Sequence, residues 1–192
     1  MKYNEYLDKI YQTNEEWNEL ISSYWHDFSS FDAWQFWMVF LILILPLLLL
    51  IMIVDRKRLF ELFFFGYTVH ILWTYAANFL ESHNYLVHNY FLTPFLPTSL
   101  NMTASALPVG FLLVYQYCTN RQKNFYIYAV ILSAVFGIGF ATVSDWIDLI
   151  NFNKGMNQIY LFMIDVVIAF TAYWFTRLVK RVWKKAGGRS VY

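Results

Sequence analysis

Two histidines and three carboxylates, side chains that bind divalent metals or transfer protons, occur in two short segments of the chain. They are Glu81, His83, His88, Asp145 and Asp148. Asp145 and Asp148 are three residues apart, so a helix would present both carboxylates on one face. The set could hold Zn²⁺ or Mn²⁺ in an open site, although its spacing matches no established metal motif. A solvated acidic rim and a vestibule for a substrate or peptide are the alternatives.

A second pair of ionisable side chains, His70 and Asp165, lies inside long apolar stretches, where a charge is costly. At 1.5 Å per helical residue, Asp165 lies about 10 Å from one end of its stretch, and His70 about 16 Å from the opposite end of its own. In a hydrocarbon core about 30 Å thick, the two side chains reach nearly the same level. The sequence therefore predicts an Asp165–His70 contact, which could be a proton relay, a ligand site or a structural hydrogen bond.

Nucleophilic catalysis has little support in the sequence. It contains neither a Gly-x-Ser-x-Gly motif nor a glycine-rich phosphate loop. A single cysteine, Cys118, precludes both an intramolecular disulfide and a cysteine-based zinc site. No residue is therefore assigned a catalytic role, and the sequence favours a non-enzymatic function.

The elements that must position these groups are five apolar stretches, at residues 34–54, 59–80, 99–118, 125–147 and 158–179. A helix needs ~20 apolar residues to cross a bilayer core, and each stretch has about that length. Apolar residues make up 59% of the chain and charged residues 14%, whereas soluble domains carry about 25% charged residues. The sequence therefore predicts an all-α integral membrane protein with five transmembrane helices.

The positive charges are distributed unequally between the two sides of this five-helix arrangement. All but three of the 14 Lys and Arg would lie on one side, and only Lys2, Lys9 and Lys154 on the other. Short loops rich in Lys and Arg stay in the cytoplasm, so we expect an extracytoplasmic N-terminus and a cytoplasmic C-terminus in a cell membrane. The basic tail at 181–192 should attract anionic lipid headgroups, and no nucleic-acid partner is expected.

Residues 1–33 form an acidic segment that this orientation places outside the membrane. Thr13 to Glu16 has the sequence of a capping box, which predicts that an amphipathic helix begins there. Five apolar residues would share one face of this helix: Trp17, Leu20, Ile21, Tyr24 and Trp25. That face could lie on the outer membrane surface or pack on the loops of the protein itself.

Small or polar residues repeat at helical spacing along stretches two to five, whereas the first stretch has no such stripe and contains Pro46. The polar seam comprises His70, Glu81, Asn101, Gln116 and Asp165. Small side chains let membrane helices approach closely, and polar ones hydrogen-bond across the interface. We therefore predict a membrane domain at 34–180 in which stretches two to five form a bundle and the first, kinked at Pro46, packs outside. Residues 81–97 should form a lid or an interfacial helix.

The run from Leu107 to Tyr117 resembles uncharacterised small multi-pass membrane proteins of endospore-forming Gram-positive bacteria. The resemblance covers about residues 70–178 and depends on Pro108, Tyr115, Gln116 and the hydrophobic pattern. It implies four or five spans in a bacterial cytoplasmic or spore membrane. It assigns no catalytic residues.

Three functions are open on the sequence alone. The first is a non-catalytic sensor, accessory or assembly subunit that binds a ligand or partner at its outer face. The second is a transporter or substrate-binding subunit that uses an Asp165–His70 seam, for which a homo-oligomer or a membrane partner is expected. The third is an intramembrane lipid hydrolase with a divalent metal held by the outer His and carboxylate set.

Overall fold

The computed structural model describes residues 2–185, which are mainly helical with one two-stranded sheet. The helices are α1 (Tyr3–Tyr24), α2 (Trp34–Ile53), α3 (Leu59–Ser82), α4 (Leu107–Asn120), α5 (Phe125–Ala134), α6 (Ala141–Trp146) and α7 (Gln158–Lys185). The strands are β1 (Leu86–His88) and β2 (Ile150–Phe152), and wider π-helical turns occur at Trp25–Ser29, Met102–Ala106 and Val135–Phe140. The first part of the predicted basic tail, from Arg181 to Lys185, continues α7, whereas Arg189 lies outside the described residues.

Three helical segments within residues 2–185 are long and apolar enough to cross a membrane. They are Trp34–Ile53, Phe125–Trp146 and Gln158–Lys185. The second of these runs without a break through α5, the π-helical turn and α6. These segments fit a membrane location, and the prediction of a helical protein is confirmed.

The four-helix bundle predicted for stretches two to five is present. α3 packs against α4 and α7, and α5 packs against the same two helices, so the four segments close into a ring. α3 points Leu62, Phe65 and Val69 into this ring, and all three are fully buried. Their three- and four-residue spacing places them on one face of the helix. The opposite face of α3 carries exposed aromatic side chains such as Phe60 and Tyr67.

α2 lies outside the ring, as the sequence predicts. It packs against the turn Met102–Ala106 and against α4, and half of its residues are exposed. Pro46 lies within the helix, and a proline leaves one carbonyl of the preceding turn without its backbone partner. Leu43 lies in the helical turn before Pro46, and its carbonyl accepts a hydrogen bond from Ser105 Oγ at 2.6 Å. The proline region is therefore where α2 is fastened to the bundle.

The N-terminal helix differs from the prediction at its start. α1 begins at Tyr3, well before Thr13, and its capping contact is between Glu5 and the backbone N–H of Lys2, which are 2.8 Å apart. Thr13 therefore lies inside the helix, since residues 3–12 contain neither the glycine nor the proline that would interrupt it. No residue of α1 is fully buried, but its last turn packs on a loop of the protein, because Tyr24 Oη donates to the carbonyl of Asn89 at 3.0 Å and its ring stacks on Phe91.

A two-stranded sheet covers one end of the bundle and was not predicted from the sequence. β1 pairs antiparallel with β2, with Leu86 opposite Phe152 and His88 opposite Ile150. We call residues 85–92 and 149–153 the lid. The lid is held from the N-terminal side because Trp25 Nε1 donates to the carbonyl of Phe91 at 3.0 Å. The predicted lid at 81–97 is thus a strand and loop rather than an interfacial helix.

Gly137 allows the Val135–Phe140 turn to approach α7 closely. A Cβ atom at this position would lie 2.4 Å from the backbone nitrogen of Phe162, a distance that backbone atoms do not tolerate. Gly139, in the same turn, has open space, since its Cβ would meet only the carbonyl of Ala134 at 3.9 Å. Alanine substitutions at Gly137 and Gly139 therefore separate the cost of a clash with α7 from the general effect of replacing a glycine in this turn.

We expect Gly137→Ala to destabilise the detergent-purified protein by about 1–3 kcal/mol, because overpacking forces α7 to move. Gly139→Ala should leave the thermal midpoint unchanged or raise it slightly, since alanine favours helix. Thermal unfolding of both variants measures the difference. Equal losses in the two variants would show that the approach of Gly137 to α7 is not what requires glycine.

Candidate functional site

A cavity of about 70 Å³ lies between the bundle helices beneath the lid. We call it the lid cavity. Its walls come from separate parts of the chain. The polar and aromatic residues that line it include Trp73, His88, Asn101, Ser144 and Asp165. α3, the lid, the start of the helix leading into α4, α6 and α7 each contribute one of them. The fold therefore gathers distant polar residues around one partly open space.

Asp165 is the carboxylate of the lid cavity. Only 1% of its surface is exposed, and Trp73 Nε1 donates to its Oδ1 at 3.0 Å. A carboxylate taken out of water needs hydrogen bonds or a balancing charge. The indole N–H is a donor on a large apolar side chain, so it supplies one such bond without adding charge.

The predicted contact between Asp165 and His70 does not form. His70 Nδ1 instead lies 2.7 Å from the carbonyl oxygen of Thr103, on the neighbouring turn. His70 and Trp73 are three residues apart, which separates them by about 60° around the helix. That rotation turns His70 towards the Met102–Ala106 turn, whereas Trp73 faces α7. Trp73, to which the sequence analysis assigned no role, takes the position expected for His70.

Glu81 and His88 meet at the lid end of the cavity. Ser99 donates to Glu81 Oε1 from its backbone nitrogen at 3.3 Å and from Oγ at 3.2 Å. His88 Nδ1 lies 3.0 Å from the same oxygen, and the two side chains are only 10% and 14% exposed. Within residues 2–185 neither His88 Nδ1 nor Glu81 Oε2 has a hydrogen-bond partner, although His88 Nδ1 is within ion-pair distance of Glu81 Oε1. This pair retains unused hydrogen-bonding capacity.

The remaining members of the predicted metal set lie apart from this pair. His83 is exposed, and its Nδ1 lies 2.9 Å from the carbonyl of Phe79 in the last turn of α3. Asp145 is half-buried on α6, and Asp148 is exposed in a turn with a φ of 56°. Among residues 2–185, no three His, Cys, Asp or Glu side chains are arranged to hold a metal ion. Of the five predicted residues, the structure brings together Glu81 and His88.

The other two seam residues have different positions. Asn101 is buried and lines the lid cavity, as expected for a bundle-facing amide. Gln116 lies towards the opposite end of the bundle, where its Oε1 accepts from the backbone N–H of Asp55 at 2.8 Å. Its Nε2 donates to the carbonyl of Ile53 at 3.0 Å. Gln116 therefore provides hydrogen bonds to backbone groups at the C-terminal end of α2, and it does not line the cavity.

A charged cluster at the far end of the bundle was missed by the sequence analysis. Glu61 Oε1 lies 2.7 Å from Arg58 Nη2 and 2.6 Å from Lys180 Nζ, and it also accepts a hydrogen bond from Tyr115 Oη. The sequence analysis used Arg58 and Lys180 only as indicators of membrane orientation. The available signal was Glu61 itself, an acid at the start of an apolar helix directly after three basic residues.

Arg58 extends this charged cluster towards α4. Its Nη1 donates to Thr119 Oγ1 at 2.8 Å and to Asn120 Oδ1. Burial alone would lower the pKa of Arg58, but the hydrogen bond and the charge of Glu61 outweigh it and raise the pKa above its ordinary value. The guanidinium is therefore a permanent charge that joins α3 to α4.

Comparison with known proteins gave no match for this chain. No protein-family model matches the sequence, and no curated protein and no solved structure matches the chain. Its function is therefore argued from the burial, contacts and charges of the two sites described above.

Glu61→Ala should destabilise the protein by about 3 kcal/mol, because it leaves the nearly buried Arg58 charge without its partner. Glu19→Ala is the matched control, since Glu19 is exposed on α1 and its removal should cost less than about 0.5 kcal/mol. Thermal or denaturant unfolding in detergent measures both. If Glu61→Ala is no more harmful than Glu19→Ala, the charged cluster does not stabilise the fold.

Proposed function

We propose that this chain is a five-span membrane protein with an extracytoplasmic N-terminus that acts as a non-catalytic binding subunit. In this proposal it serves as a sensor or accessory protein, and its ligand occupies the lid cavity. The observation that carries the proposal is the burial of the Asp165 carboxylate against a partly open cavity. A carboxylate that served packing alone would be expected to lie in a filled interface.

Two further helices support the five-span arrangement beside the three apolar ones. α3 has 24 residues, about 36 Å at 1.5 Å per residue, which exceeds a hydrocarbon core of about 30 Å. It packs along α7, and its exposed face is aromatic and apolar. The stretch from Met102 through Asn120 is also continuously helical and packs against α3. Neither is among the three segments of highest hydropathy, and α3 carries two polar residues of the seam, His70 and Glu81.

The charge distribution supports the orientation. Arg58 and Lys180 lie in the charged cluster at the end of the bundle opposite the lid, and Arg121 and Lys123 follow α4 at that end. Positive charges of short loops stay in the cytoplasm, which would place the lid outside. A cavity beneath the lid would then open towards the extracytoplasmic side, as a receptor for an external ligand requires.

Binding is favoured over the two alternatives by specific contacts. The transporter hypothesis relied on an Asp165–His70 pair, and these two side chains bond to different partners. The hydrolase hypothesis relied on a metal held by five residues, of which Glu81 and His88 are in contact. A binding site needs neither feature, because it requires only an enclosed space with a few polar groups.

The membrane arrangement can be tested by cysteine labelling in a Cys118→Ser background. Lys57→Cys, Phe95→Cys and Lys123→Cys lie in three successive connections, and all three positions are exposed. We expect a membrane-impermeant maleimide to label Phe95→Cys on intact cells and the other two only after permeabilisation. Labelling of adjacent positions from the same side would contradict the crossing of α3 or of residues 102–120.

The lid cavity can be tested with the same cysteine-free background. Ser144→Cys lines the cavity, whereas Ser133→Cys lies on the same continuous helix, equally buried but outside the cavity. A small methanethiosulfonate reagent should modify Ser144→Cys at least tenfold faster than Ser133→Cys, because only the first faces open space. Equal rates for the two positions would contradict a ligand-accessible cavity.

A further inference from the structure

We infer that the lid cavity binds a small alkylammonium ion, with Asp165 as its counter-ion. This inference rests on the proposed binding function and specifies the chemical class of the ligand. It is carried by four properties of the cavity: its size, the sign of its charge, its unpaired polar atoms and its aromatic walls.

The size of the lid cavity limits the ligand to a few heavy atoms. Its volume is about 70 Å³, whereas a drug-sized ligand occupies a site of roughly 300–1,000 Å³. One water molecule takes about 30 Å³ of liquid, so the cavity accommodates about two such groups. Methylammonium, with one carbon and one nitrogen, has this size.

The charge of the cavity selects a cation. Asp165 is the carboxylate among the lining residues, and no Lys or Arg lies among them within residues 2–185. A buried carboxyl group is neutralised either by a proton or by a bound cation, and an anion in the cavity would oppose its ionisation. An ammonium group would supply the missing charge together with N–H donors for carboxylate oxygens.

Two buried polar atoms at the lid end have no hydrogen-bond partner within residues 2–185. His88 lines the cavity with a side chain that is nine-tenths buried, and its Nδ1 has no hydrogen-bond partner within residues 2–185. Beside it, Glu81 Oε2 is also buried and unpaired within those residues. Buried polar atoms in folded proteins are nearly always bonded to protein or water, so these two atoms retain capacity for a water molecule or for a polar group of a ligand.

The aromatic walls favour an organic ammonium over an alkali metal ion. Trp73, Tyr90, Phe136 and Phe140 line the cavity, and an aromatic face attracts a cation even where oxygen ligands are few. A hard metal cation instead needs a shell of oxygen ligands to replace its water. Among residues 2–185 no three His, Cys, Asp or Glu side chains are arranged to hold a metal ion, and Asp165 is the carboxylate that lines the cavity.

Thermal unfolding of the full chain in detergent tests the ligand class at constant pH and ionic strength. Methylammonium chloride at tenfold over its dissociation constant should raise the unfolding midpoint by about 3–6 °C relative to sodium chloride. Tetraethylammonium chloride, which is too large for the cavity, should produce no rise. Asp165→Asn should abolish the methylammonium effect, and Asp145→Asn, a half-buried carboxylate outside the cavity lining, should retain it.

Each alternative outcome overturns the inference. A rise of the same size with sodium or tetraethylammonium would show a general salt or surface effect, and no rise with methylammonium would exclude the proposed class. A methylammonium effect that persists in Asp165→Asn would place the cation elsewhere. If Asp165→Asn fails to fold, the unfolding midpoints of the unchanged protein in methylammonium, sodium and tetraethylammonium chloride still decide whether the cavity binds methylammonium. Fast modification of Ser144→Cys without a methylammonium effect would reject this ligand class while leaving the binding function intact.

Discussion

The hydrogen bond between Trp73 and Asp165 is the contact on which the arrangement of the bundle depends. A carboxylate within an apolar helix is tolerated only where its oxygen atoms are satisfied, and lipid offers no donor. Asp165 must therefore face the interior of the bundle, which fixes the rotation of α7. The 3.0 Å contact with the indole nitrogen fixes the rotation of α3 in the same way. Once these two helices are oriented, the small residues Ala169 and Ala172 lie at the buried seam, where close packing is possible.

The two ends of the bundle satisfy their polar groups by different means. At the end opposite the lid, one carboxylate, Glu61, is shared by donors from three parts of the chain, and this provides charge pairing across α3, α4 and α7. At the lid end, backbone pairing of β1 with β2 replaces charge pairing. The cluster is saturated, whereas the lid end leaves Glu81 Oε2 and His88 Nδ1 unpaired within the described residues. The difference is why the lid end, and not the charged cluster, is proposed to receive a ligand.

Helical periodicity predicted most of the bundle, because the buried faces of its helices recur at three- and four-residue spacing. It also identified Asp165 and Asn101 as inward-facing. Periodicity alone defines a face about 100° wide, however, and it does not say which neighbour that face meets. His70 and Trp73 both fall within such a face, and the position of α7 decides which of them reaches Asp165. The lid strands, each three residues long, carry too short a pattern to be recognised, and they pair across about sixty residues of sequence. The Glu61 cluster was missed because Lys and Arg had been considered only in relation to the membrane.

The lid and the Trp73–Asp165 bond act on the same two helices. β1 follows α3 after a short turn, and β2 precedes α7 after another, so the paired strands join the ends of these helices. Trp73 and Asp165 join them again about two turns deeper, since Glu81 near the lid lies eight residues, or about 12 Å, beyond Trp73 on α3. The strand pairing and the Trp73–Asp165 hydrogen bond, at two different depths, together fix the distance between α3 and α7. The lid cavity lies in this interval, so its width is set by the fold and does not depend on an occupant to keep the helices apart.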